Sequence, residues 1–183
     1  MNNSEKLTNC CFDFYDLLFG ENKYYSEGVL LESSCIITNC LFEGFVNPSN
    51  ITCERGAAVR IDANNKDTSF TFENCIFRNN RVTGKYNEGG AALHAVNEGI
   101  CNMSILLKNC SFINNRNDST LHTNESSHII MMPYTDDGKA LLILEGTNIM
   151  ENPSCPEFRS GYVESFKNNA VYIKNVTVTG TIN

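Results

Sequence analysis

Basic residues are scarce in this chain. There are 14 lysines and arginines against 21 acidic residues in 183, giving a formal net charge of -7. The cations are scattered, as at Arg55, Arg60, Lys66, Arg78 and Arg81, and form no stripe of one sign. Such a surface repels phosphate backbones and excludes nucleic acid as a partner. Long apolar runs are missing as well: Leu17-Leu18-Phe19 and Ile129-Ile130-Met131-Met132 fall far short of the roughly 20 residues that span a bilayer as a helix. No membrane span is expected. The opening stretch from Met1 to Lys6 has neither a basic region nor an apolar run after it, so no secretory signal is read. A complete chain would then be expected inside the cell, and a piece of a longer exported protein at the cell surface.

The usual frames of chemistry are also lacking. Metal-type spacing is absent, because Cys10 and Cys11 are adjacent and the step from Cys35 to Cys40 has no matching histidine pair. Asp136-Asp137-Gly138 lacks the alternating ligands of a calcium loop and reads as a turn. No serine, histidine and aspartate fall into a recognisable catalytic frame, and the glycines precede strand-like runs where a phosphate loop needs the start of a helix. No cofactor and no catalytic residue are expected.

What the chain has is repetition. Hydrophobic content of 42% and charged content of 19% are ordinary for a folded protein, so its many asparagines signal turns and not disorder. Phe72-Glu73-Asn74-Cys75-Ile76-Phe77-Arg78-Asn79-Asn80 returns almost letter for letter as Leu107-Lys108-Asn109-Cys110-Ser111-Phe112-Ile113-Asn114-Asn115. The same frame begins at positions 9, 39, 74, 109, 146 and 175, with steps of 30, 35, 35, 37 and 29. A near-constant step of this size marks stacked repeats. It runs from the first ten residues to the last ten, so residues 1–183 are read as a single domain, with 1–25 as an N-terminal cap and first coil, open to being a segment of a longer solenoid.

Within the frame each position has a physical reading. Asn39, Asn74 and Asn109 sit where the chain must turn, since asparagine tolerates a left-handed backbone, and stacked they would form an amide ladder. Gly146 fits the same slot. Cys40, Cys75 and Cys110, then Phe42, Phe77 and Phe112, alternate with outward residues and should stack in two inward columns. Nine cysteines is an odd number, and cysteines fixed by a repeat are read as packing residues and not as disulfide partners.

Upstream of each frame lies a glycine-led apolar run: Gly28 to Leu31, Gly56 to Ile61, Gly90 to Ala95, Gly138 to Ile143 and Asn168 to Ile173. Taken as first strands, these give three short strands per repeat, with first and second strands merged in the last two repeats. The outward column of the first strand then reads Glu32, Arg60, His94, Leu142 and Tyr172, followed by Ser34, Asp62, Val96, Leu144 and Lys174. No two carboxylates adjoin in it, Glu32 above Arg60 reads as an exposed ion pair, and His94 reads as a solvated strand residue. Long segments leave the frame after the phenylalanine column, at Glu43 to Arg55, Arg78 to Gly89, Ile113 to Asp137 and Met150 to Lys167. They should cluster on one edge. A short helix at Asp13 to Phe19 is read as a cap.

Gly89-Gly90-Ala91, with Phe77-Arg78-Asn79-Asn80 and Phe112-Ile113-Asn114-Asn115, resembles the paired GGA(I/L/V) and FxxN tetrapeptides of polymorphic membrane protein repeats. The resemblance implies a right-handed parallel β-helix and, for exported members, adhesion. The fold expected is therefore all-β, a right-handed parallel β-helix (a single-stranded β-solenoid) of about five to six coils with long loops on one edge. The function expected is a non-enzymatic structural or adhesin-like surface. An intracellular scaffold in a larger assembly, cytoskeletal ones included, is the second reading, and a polysaccharide-cleaving β-helix the third. Protein partners are expected at the loop aromatics Tyr86, Tyr134, Phe158 and Tyr162 or across the open ends, and a glycan is the other partner class that such a surface admits. Of the Asn-x-Ser/Thr sites at Asn2, Asn50, Asn102, Asn109, Asn117, Asn124 and Asn175, the two in the ladder, Asn109 and Asn175, are expected to escape glycosylation.

Overall fold

A computed structural model describes residues 5–13, 28–47, 58–62, 66–82, 90–97, 101–117, 130–132, 138–150, 163–165 and 169–178. Among them there is no helix, and the strands pair only in parallel. The first repeat supplies β1 (Glu5–Thr8) and β2 (Cys11–Asp13), and the second β3 (Val29–Leu31), β4 (Cys35–Thr38), β5 (Leu41–Glu43) and β6 (Val46–Asn47). The third supplies β7 (Val59–Asp62), β8 (Thr68–Glu73), β9 (Ile76–Arg78) and β10 (Arg81–Val82), and the fourth β11 (Leu93–Val96), β12 (Asn102–Lys108), β13 (Ser111–Ile113) and β14 (Arg116–Asn117). The fifth supplies β15 (Ile130–Met132), β16 (Lys139–Glu145) and β17 (Asn148–Met150), and the last β18 (Val163–Ser165), β19 (Asn169–Lys174) and β20 (Thr177–Val178).

These strands form four parallel sheets. An entry sheet runs β18-β15-β11-β7-β3, a long sheet β1-β4-β8-β12-β16-β19, a corner sheet β2-β5-β9-β13-β17-β20 and a narrow exit sheet β14-β10-β6. The chain visits them in the order entry, long, corner, exit, so that neighbours in every sheet come from successive repeats. Alternation explains the long sheet: β12 and β16 bury every second residue, which leaves the inward columns Cys35, Phe70, Ile105, Leu142 and Ile37, Phe72, Leu107, Leu144.

Between long and corner sheets the backbone turns at a left-handed residue in every repeat: Asn9 (φ 58°), Asn39 (55°), Asn74 (55°), Asn109 (52°), Gly146 (59°) and Asn175 (53°). Asparagine amides link three of them, Asn74 donating to Asn39 and Asn39 to Asn9, each at 3.3 Å. At Gly146 a Cβ would meet Asn109 Oδ1, the movable end of a side chain that has settled into the space glycine leaves. Gly146→Asn is therefore expected to raise stability by about 0.5–1 kcal/mol, by restricting the unfolded chain and extending the ladder. Urea unfolding reads the gain.

Past the corner, Cys40, Cys75, Cys110 and Thr147 are buried in one column, followed by Phe42, Phe77, Phe112 and Ile149 in the next. The phenylalanine rings stack nearly face to face, Phe42 on Phe77 at 4.7 Å and 9°, and Phe77 on Phe112 at 4.6 Å and 1°. A second left-handed turn, at Gly44 (φ 75°), Asn79 (58°) and Asn114 (60°), leads into the exit sheet.

Four features differ from the sequence reading. The exit strands β6, β10 and β14 went unseen because two residues carry no periodicity, so the described repeats turn through four sheets where three strands were expected. Gly138 to Ile143 and Asn168 to Ile173 are not first strands. They build β16 and β19 of the long sheet, while β15 and β18 are the entry strands of those repeats, and nothing is merged. Alternating apolar runs of Ala, Leu and Val fit either sheet, and only the pairing decides. Ile113 to Asp137 is not one loop, being interrupted by β14 and β15. Of the expected helix at Asp13 to Phe19, Asp13 ends β2 and the remainder lies outside the described residues.

Candidate functional site

The outer side of the entry sheet is where a cluster of chemistry-bearing residues could gather, and its composition differs from the expected column. Leu30, Arg60 and His94 stand side by side in the pairing, followed by Met131 and Glu164 at the same backbone level. Leu142 and Tyr172 belong instead to the long sheet, and Glu32 lies beyond the end of β3, so Leu30 and not Glu32 stands beside Arg60 in the pairing. Arg60 bonds within its own strand, Nη2 donating to Asp62 Oδ2 at 3.0 Å. Two residues apart on a strand, they share one face.

That face is covered. Arg60 is only 9% exposed and His94 is fully buried, so His94 is not the solvated strand residue of the sequence reading. All four residues of β11 are buried, which means that the entry sheet is packed on both sides there. The guanidinium and carboxylate of Arg60 and Asp62 are tied to each other, and Glu164 stands in the row of Arg60 three strands along, so no two carboxylates adjoin in the pairing of this sheet. No group of three or more metal-ligating side chains occurs among the described residues.

Close backbone approach explains the glycine three residues ahead of β11. Gly90 has a φ of 75°, and a Cβ there would lie 2.7 Å from the Leu93 carbonyl, a backbone atom that cannot yield. Ala91 and Ala92 follow it with no exposure. The Gly-Ala-Ala run is thus a closely packed entry into β11.

The thiol column is a hydrogen-bonding device. Cys75 Sγ donates to the Ile37 carbonyl of the preceding repeat at 3.5 Å, and Cys110 Sγ to that of Phe72 at 3.4 Å. Thr147 occupies the same slot with a hydroxyl, donating to the Leu107 carbonyl at 2.9 Å. At Cys75, Cys110 and Thr147 the slot holds a small side chain with one donor, which goes beyond the packing role read from sequence, whereas Val176 fills it in the last repeat without one. Cys10, Cys40, Cys75, Cys101 and Cys110 are free thiols. Burial pushes Cys40 up to about 11, and the hydrogen bond with Cys75, with burial behind it, holds Cys110 well above the ordinary thiol range. The hydrogen bond with Cys110 lowers Cys75 instead. All three are buried while Cys10 and Cys101 are partly exposed, so native chain is expected to present Cys10 and Cys101 to a thiol reagent far faster than Cys40, Cys75 and Cys110. Mass spectrometry of timed labelling checks this, and equal rates would contradict it.

On the outer side of the long sheet, charges alternate in one column: Glu73, Lys108, Glu145, Lys174. Lys108 Nζ reaches Glu73 Oε1 at 2.8 Å and Lys174 Nζ reaches Glu145 Oε1 at 2.9 Å. The Lys174 ammonium holds the Glu145 carboxyl below its ordinary value, and Arg78, 2.7 Å away, does the same for Glu43. These exposed pairs each contribute little to stability, but they fix which residue may follow in the column.

A buried asparagine pair escaped the sequence reading. Asn80 and Asn115, the last residues of Phe77-x-x-Asn80 and Phe112-x-x-Asn115, are 0% and 2% exposed. Asn80 Nδ2 donates to the Phe42 carbonyl at 3.2 Å and to Asn115 Oδ1 at 2.8 Å, while Asn80 Oδ1 accepts the Phe45 N–H at 3.1 Å. The corner asparagines, by contrast, are exposed, Asn109 and Asn175 among them, so burial does not shield those two from glycosylation. Tyr86, Tyr134, Phe158 and Tyr162 lie outside the described residues. In chain order Tyr86, Phe158 and Tyr162 precede entry strands, whereas Tyr134 follows one, so the four do not share a single connection type. No family model, curated protein or solved structure matches the chain.

Proposed function

We propose that the chain is a right-handed parallel β-helix of about five to six coils that serves as a non-enzymatic structural and binding surface. The observation behind this reading is where the carboxylates go. Glu43 pairs with Arg78, Glu73 with Lys108, Glu145 with Lys174 and Asp62 with Arg60, and Asp67 accepts the backbone N–H of Asn102. These five acids tie repeats together or neutralise a covered cation. Each of the five is already engaged with a partner, which leaves none of them as one of two carboxylates opposed across a substrate, the requirement for cleaving a glycosidic bond.

Function then falls to the unequal connections, whose aromatics Tyr86, Tyr134, Phe158 and Tyr162 are suited to anchor a protein or glycan partner. The likeness to polymorphic membrane protein repeats supports the exported, adhesin-like version. The free thiols favour a second version, an intracellular scaffold within a larger assembly, because thiols in oxidising compartments usually pair. Incubation with an acidic polysaccharide such as polygalacturonate should release no sugar, and measurable release would overturn the non-enzymatic reading. Fractionation of the native protein separates the two versions: glycans on Asn50, Asn117 or Asn124 mark the exported one, unmodified thiols in a soluble or cytoskeletal pool the internal one.

A further inference from the structure

The two ends of the stack carry complementary halves of one hydrogen-bond pattern. At each corner the N–H donates to the following repeat: Asn9 N to Thr38 O at 3.0 Å, Asn39 N to Glu73 O at 2.9 Å, Asn109 N to Glu145 O at 2.7 Å and Gly146 N to Lys174 O at 2.9 Å. Two residues later the direction reverses, Leu41 N donating to Cys10 O at 2.9 Å and Thr177 N to Thr147 O at 3.1 Å. The strands β1 and β2 form one outer edge of the long and corner sheets, and β19 and β20 form the other. Continued by one period, the pattern directs Asn175 N and Val176 O off the last repeat, and Thr8 O and Cys11 N off the first. Donor meets acceptor in both pairs. The amide ladder has the same polarity, since Asn74 donates to Asn39 and Asn39 to Asn9, and continued in that sense it sets Asn9 Nδ2 against Asn175 Oδ1.

Apolar surface agrees with polar pattern. Ile173 is 52% exposed although its column mates Ile37, Phe72, Leu107 and Leu144 are fully buried. Beside it Tyr172 is 64% exposed. At the opposite edge the same column ends in Leu7, which is only partly buried. Laying Leu7 over Ile173 and Cys10 over Val176 extends both inward columns without a break.

We propose that this chain associates head to tail with a second copy of itself, β1 and β2 of one copy pairing in parallel with β19 and β20 of the next. The contact is heterologous, so it repeats and gives linear chains. It goes beyond the binding surface proposed above and does not depend on what the connections bind.

In this register Thr8 of one copy lies against Lys174 of its neighbour, where the alternation of Glu73, Lys108, Glu145 and Lys174 calls for an acid. Thr8 is exposed, and its hydroxyl accepts one hydrogen bond, from Thr38 Oγ1 at 3.2 Å, which both Thr8 substitutions alter alike. Sedimentation of the purified chain over a concentration series should show a mass that rises through dimer to longer chains. Thr8→Glu should tighten the association about two- to fivefold at low salt, and Thr8→Lys should weaken it by a similar factor.

Blocking one end at a time tests direction. Ile173→Lys alone and Leu7→Lys alone should each stay monomeric, and their equimolar mixture should form dimers and nothing larger. A monomer at every concentration would overturn the proposal. So would dimerisation of Leu7→Lys by itself, the mark of pairing between two like ends, or an effect of the Thr8 substitutions opposite in sign. Circular dichroism of each variant shows whether the parallel strands remain, which keeps a failure of folding distinct from a failure of association.

Discussion

Phe77→Ala is expected to lower the free energy of unfolding by about 3–5 kcal/mol, the largest single effect in the column. The ring of Phe77 is fully buried and sandwiched between those of Phe42 and Phe112, at 4.7 and 4.6 Å. It also leans on Phe72 at 5.7 Å from the adjoining sheet. Removing it deprives three rings of contact at once. Collapse of the void is opposed by the backbone, because β9 is held on both sides by parallel pairing with β5 and β13. Phe77→Leu keeps most of the volume and should cost about 1–2 kcal/mol. Since each repeat touches only its neighbours, a void in the middle also uncouples the two halves of the stack, and the urea transition should broaden as well as shift. An alanine variant within about 1 kcal/mol of the parent would show that the column does not carry the core.

Asn80→Leu is expected to cost about 2–5 kcal/mol although it replaces a polar side chain by an apolar one of similar size in a buried site. The reason is what stays behind: the Phe42 carbonyl loses a donor at 3.2 Å and the Phe45 N–H loses an acceptor at 3.1 Å. Each buried group left without a partner costs about 1–3 kcal/mol. Asn80→Asp separates the two halves of the argument. The carboxylate keeps the acceptor for the Phe45 N–H but sets a charge against the Phe42 carbonyl and Asn115 Oδ1, so at neutral pH it should be worse than leucine. Burial raises the carboxyl's pKa in the folded state, so protonation restores a donor and stability recovers as the pH falls. Chemical unfolding at neutral and acidic pH decides it. A leucine variant as stable as the parent would mean that the asparagine bridge contributes nothing net.

Much of the repeat frame was legible residue by residue. Asparagine and glycine reveal the first corner because few other residues accept a φ near 55°, and inward cysteine and phenylalanine reveal the corner strand because alternation has one solution once one face is buried. The exit strands were invisible for want of length. His94 was misread for a different reason: its alternation with Leu93 and Ala95 says only that it points away from the core, and whether water or protein lies on that side is set by residues distant in the chain.

The same limit separates the two asparagine columns. Asn74 and Asn80 are six residues apart in one frame, yet the first is exposed and the second fully buried. Their sequence contexts carry no sign of that difference. Composition, period and corner residues by themselves determined an all-β chain of parallel strands, because local conformational preference and alternation act over a few residues. Tertiary structure alone decided the number of sheets, the strand to which each apolar run belongs, the covered face over Arg60 and His94, and the partners of the buried amides. Each of those depends on contacts some 35 residues apart, as between Asn80 and Asn115, which no local pattern encodes.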